Sequence, residues 1–114
     1  MDDRLKQLMM ERMRRPAAMD AVRDFLQSYV YDADMDNVQG IVKHMMSVNP
    51  RTIIDGVEGI EEILASPLEP GTLARLVAED ANRGLDDPSD EGARAWLQDL
   101  ANRVRAWMGA AGAR

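Results

Sequence analysis

Phe25-Leu26-Gln27-Ser28-Tyr29-Val30-Tyr31-Asp32-Ala33-Asp34-Met35-Asp36 holds three of the five aromatic residues of the chain and runs directly into three alternating aspartates. Upstream, Met19 and Val22 join Phe25, Leu26 and Tyr29 in the i, i+3, i+4, i+7 spacing of an amphipathic helix. The spacing predicts a helix over 17–31 whose aromatic face anchors the core. The aspartates break that period and form the sharpest acidic feature of the first half.

Working outward, Asp36 has the chemistry of an N-cap for the next helix, with Gln39 in the capping-box position and Val38, Ile41, Val42 and Met45 as the inner face. That helix is expected to end near Ser47. Asn49-Pro50 is a restart signal, because asparagine can accept from the free amides and a proline at the first helical position has no amide to leave unpaired. A helix over 50–65 follows, with Ile53, Val57, Ile60 and Leu64 inward and Asp55, Glu58, Glu61 and Glu62 outward. Ser66-Pro67-Leu68-Glu69-Pro70-Gly71 is a connector rich in helix breakers. Residues 72–83 read as a helix with Leu73, Leu76, Val77 and Ala81 inward, ended by Gly84 in the left-handed conformation. After the turn Leu85-Asp86-Asp87-Pro88, Asp87 or Ser89 caps a final helix, in which Ala93, Trp96, Leu97, Leu100, Val104, Trp107 and Met108 share one face.

No segment alternates apolar and polar residues long enough to demand a strand. The expected fold is therefore all-α, a single domain of five or six short helices. Residues 1–16 read as a Met-rich helix with Leu5, Leu8, Met9 and Met13 in a stripe, stopped by Pro16; it is either an appendage or an oligomer contact. Residues 17–108 form the helical core domain, and 109–114 are expected to fray.

Composition bounds the function. A chain of 114 residues with 46% hydrophobic and 30% charged residues has enough apolar surface for one core. Cysteine is absent, which removes disulfide and thiolate chemistry, and no apolar run approaches the length of a bilayer span. With the charged start Met1-Asp2-Asp3-Arg4 in place of a signal peptide, a cytoplasmic location is expected and no membrane partner. The net charge of −6 is concentrated in residues 17–66, which carry nine acidic and three basic side chains. That balance opposes nucleic-acid binding, which rests on neutralising phosphates, and favours a basic protein partner; a merely solvated surface explains the charge equally well.

Sites for chemistry are sparse. His44 has no second histidine or cysteine with which to build a metal site or a triad. Asp32, Asp34 and Asp36 match the first acidic positions of a calcium-binding loop, but Asn37 replaces the turn glycine and Lys43 stands where the bidentate glutamate is needed. No phosphate loop or nucleophile elbow is present, and the helix from Pro50 is too acidic to read bases. The expectation is a non-enzymatic protein with no catalytic residues, metal or cofactor.

Val22-Arg23-Asp24-Phe25-Leu26-x-x-Tyr29 with its Asp-rich turn, then Ile60-Glu61-Glu62-Ile63-Leu64-Ala65-Ser66, Leu73-Ala74-Arg75-Leu76, and Gly84-x-Asp86-x-Pro88 leading to Ala95-Trp96-Leu97, resembles the small helical immunity proteins of contact-dependent growth inhibition systems. The likeness spans residues 19–108 and lies in the order and character of segments. The chain departs from the pattern at Asp32-Ala33, where many such proteins carry Asp-Trp, and in its Met-rich first segment. The resemblance implies a stoichiometric inhibitor of the C-terminal toxin domain of a cognate effector, often a nuclease with a basic surface. It makes Asp32, Asp34, Asp36, Asp86, Asp87, Asp90 and Glu91 the candidate partner contacts. Asp36, Asp87, Asp90 and Glu91 also have local capping or dipole roles, which leaves Asp32 and Asp34, with Tyr31, and Asp86 as the less explained ones. The alternative is a helical adaptor that self-associates or docks through residues 1–15.

Overall fold

A computed structural model describes residues 17–112, with side chains through residue 110. Five helices follow in order among the described residues. Residues 17–25 are α-helical and continue into a π-helical turn, Leu26–Val30, which together form α1. Then come α2 (Met35–Val48) and α3 (Pro50–Ala65). Thr72–Arg75 continues into a second π-helical turn, Leu76–Asp80, to give α4. The last helix is α5 (Asp90–Gly112). There is no strand among the described residues, so the fold is all-α in a single domain.

The long α5 is the spine, packing against α2, α3 and α4. It buries Ala93, Leu97, Leu100, Ala101 and Val104 and half-buries Trp96, Trp107 and Met108. α1 lies antiparallel on α3 through two glycines: Phe25 sits over Gly56, and Ala18 and Val22 over Gly59. A Cβ at Gly56 would fall 2.5 Å from Phe25 Cδ2, and one at Gly59 2.9 Å from the Ala18 carbonyl oxygen. The helix-propensity cost of those glycines is therefore offset by a closer approach of two helices and the full burial of Phe25.

The expected cores of α1, α3, α4 and α5 are largely those observed, with small phase changes. In α3 the last fully buried position is Ile63, and Leu64 is only half-buried. The local caps differ more. Asp34, not Asp36, caps α2: its backbone is extended and its Oδ1 accepts from the Asn37 amide at 2.8 Å, so the helix starts two residues early and Asp36 falls in its first turn. Asn49 makes no side-chain cap; its amide instead closes α2 on the Met45 carbonyl at 2.7 Å, while Pro50 opens α3. At the end of α4 the left-handed residue is Asn82 (φ 52°), ahead of the expected Gly84, because the π turn ends the helix at Asp80. α5 is helical through Gly112. The reading of residues 1–16 as a Met-rich helix lies outside the described residues.

Candidate interaction surface

α1 and α4 end in the same way. Each closes with a five-residue π turn beginning at a leucine, Leu26 or Leu76, and two residues after each turn a non-glycine residue takes positive φ, Asp32 at 53° and Asn82 at 52°. π turns and left-handed non-glycine residues both cost energy and persist where surrounding contacts over-determine them. Here the two ends brace one another. The Asp32 amide donates to the Ala81 carbonyl at 3.4 Å, Gln27 Nε2 donates to Asp80 Oδ1 at 2.5 Å, and Arg83 Nη2 donates to the Val30 carbonyl at 3.3 Å. Arg23 stands 3.9 Å from the other Asp80 oxygen, and the Arg83 guanidinium lies over Trp96 of α5 at 5.9 Å.

This bracing fixes the turn after α1. Tyr29 is half-buried and meets Phe25 edge-on, with ring centroids 5.7 Å apart. Tyr31 points the other way and is 52% exposed, one of two large apolar side chains so exposed among the described residues. Asp32, Asp34 and Asp36 follow it in sequence and are all exposed. Asp34 spends one oxygen on its cap, whereas the Asp32 and Asp36 side chains have no bond among the described residues.

The second half of the candidate set has other work. Asp87 Oδ1 accepts from both the amide and the hydroxyl of Ser89, at 3.1 and 2.6 Å, and the Ser89 hydroxyl in turn takes the Gly92 amide at 3.4 Å. Ser89 thus caps α5 and Asp87 orients it; the Ser89 hydroxyl, then its amide, hold the Asp87 carboxyl below the usual aspartate range. Asp90 reaches across to α4, accepting from the Gly71 amide at 2.6 Å and the Ala74 amide at 2.9 Å. Those two amides, with the nearby charge of Arg94, lower its pKa. Asp86 and Glu91 are exposed without a bond among the described residues.

Asp32 touches the C-terminal end of α4 and Asp90 its N-terminal end, about 15 Å apart along a helix rising 1.5 Å per residue. Asp90 is therefore placed away from the Tyr31 turn. The one signal of the Asp90 role in the sequence was the start of α4 itself, where Pro70-Gly71 offers no side chain to accept from the first amides.

Farther off, α3 and α5 are tied by Glu61 and Arg105, a bidentate pair at 2.5 and 3.1 Å, and by Arg94 Nη1 donating to the Leu64 carbonyl at 2.5 Å. The hydrogen bond to Arg105 lowers the pKa of Glu61 and raises that of Arg105. His44 is exposed on α2, and no three metal-binding side chains come together among the described residues. No helix among them is long and apolar enough to cross a membrane. No family model, curated protein or solved structure matches the chain.

Proposed function

We propose that the chain is an immunity protein that binds the toxin domain of a contact-dependent growth inhibition effector, in the cytoplasm, and inhibits it at one-to-one stoichiometry. The order of segments from Met19 to Met108 and the net charge of −6 support this reading. The observation that carries it is the Tyr31 turn, where an aromatic side chain 52% exposed leads directly into the exposed Asp32 and Asp34 at a braced pair of helix ends.

A toxin that acts on nucleic acid presents a basic surface to phosphates, and an acidic turn competes for that surface. Opposite charges accelerate the encounter, while an aromatic residue that loses its water sets the dissociation rate. Tyrosine serves well there because it covers much apolar area with few rotatable bonds. The mechanism requires no cofactor and no bond-making step by this chain. It predicts that the toxin domain encoded in the same locus co-purifies with the chain at equal stoichiometry; a toxin domain that elutes alone from an equimolar mixture overturns the reading.

A further inference from the structure

We propose that the groove where α3, α4 and α5 meet is a docking site for an amphipathic helix with basic flanks, supplied by a partner protein. The inference does not rest on the toxin reading and concerns a surface away from Tyr31. A depression of 530 Å³ between α3 and α5 is floored by Leu64, Ala65 and Ala95. A second, of 270 Å³, is floored by Leu68 and Leu73 at the start of α4. Glu91 and Arg94 wall both, so the two adjoin.

The chemistry of floor and rim selects the occupant. The floor is aliphatic, and adjoining depressions suit apolar side chains from successive turns of one helix. A strand has nothing to pair with, because the walls are helices whose backbone is already bonded and there is no sheet edge among the described residues. On the rim, the charge of Glu61 is matched by Arg105 and that of Asp90 by Arg94 one helical turn on. Glu69 and Glu91 remain exposed with side chains unbonded among the described residues, so the charge left over is negative and calls for Lys or Arg on the incoming helix.

The test titrates the full chain into a fluorescein-labelled Leu/Lys peptide of helical periodicity, about 16 residues long so that a helix can form. Its scrambled isomer and a Leu/Glu counterpart serve as controls. Saturable, salt-weakened binding of the periodic peptide alone is expected. Ala95→Trp, which fills the floor from an exposed position, should weaken it about tenfold, as loss of a central apolar contact does. Glu69→Gln with Glu91→Gln should weaken it several-fold, and Tyr31→Ala should leave it unchanged; circular dichroism checks that each variant is folded. Absence of saturable binding, equal binding of either control, or indifference to Ala95→Trp in a folded variant overturns the proposal. So does loss of binding in Tyr31→Ala, which moves the peptide to the other surface, or binding that coincides with dissociation of a homodimer, which puts a second copy in the groove.

Discussion

Asp90 at the start of α5 holds the amide of Gly71 at 2.6 Å with one carboxylate oxygen and the amide of Ala74 at 2.9 Å with the other. The N-terminus of α4 is thereby capped from a different helix, and the connector 66–71 is tied to the spine of the fold. Asp90→Ala leaves both amides without their partner and should lower the melting temperature by more than Asp90→Asn, which keeps one acceptor. Asp86→Asn, which removes no bond, should not change it. Thermal unfolding followed by circular dichroism makes the comparison.

The same contacts set the acid limit of stability. Asp87, Asp90 and Glu61 all have pKa values lowered in the folded chain, by Ser89, by the Gly71 and Ala74 amides, and by Arg105 respectively. A lowered pKa means that the unfolded chain binds protons first, so the contribution is fully present above the ordinary carboxylate range, about pH 4 to 4.5. It is lost as pH falls through that range to the depressed values. Urea midpoints should fall across this window, and Asp90→Asn should flatten the fall.

Three helix glycines should respond with opposite signs to the same substitution. Gly40 is exposed on α2 with nothing near its missing Cβ, so Gly40→Ala should stabilise by about 1 kcal/mol through helix propensity. Gly56→Ala and Gly59→Ala gain the same propensity but drive a methyl into Phe25, or into Ala18 and Val22, and overpacking costs about 1–3 kcal/mol. Both should be net destabilising in chemical denaturation.

The Glu61–Arg105 pair is bidentate but 42–45% exposed, and exposed pairs couple by only about 0.2–1 kcal/mol. A double-mutant cycle with Glu61→Gln and Arg105→Gln should give a coupling in that range, and it should shrink in about 1 M salt, where charges are screened within a few ångströms.

The fold was legible in the sequence because burial follows apolar spacing. Val22, Phe25, Leu26, Ile53, Val57, Ile60, Leu97 and Leu100 are buried where their periodicity put them. Helix ends were less legible, because they depend on partners distant in sequence. The Asp90 carboxylate finds its amides 16 and 19 residues away, and the π turns are stabilised by bonds between residues 53 apart. The exposure of Tyr31 beside the buried Val30 likewise follows from the π turn, which shifts the helical phase before the chain leaves it. The groove between α3 and α5 had no sequence signal, since its floor is made of the half-buried Leu64 and two alanines drawn from two separate helices.

Tyr31→Ala should leave stability within about 0.5 kcal/mol, as expected for an exposed side chain away from caps and core. It should weaken binding of the toxin domain by about 2 kcal/mol or more. Asp32→Asn and Asp34→Asn are clean electrostatic probes. Asparagine tolerates the left-handed backbone at position 32 and caps as well as aspartate at position 34. Together with Asp86→Asn they should slow association and flatten its salt dependence without unfolding the chain.

The most direct measurement is a titration of the toxin domain's activity with the purified chain. Activity should fall linearly to zero at one equivalent, and the Tyr31→Ala variant should need a large excess to reach the same point. Full toxin activity in the presence of excess folded chain contradicts the inhibitor reading, and equal potency of Tyr31→Ala contradicts the assignment of its surface.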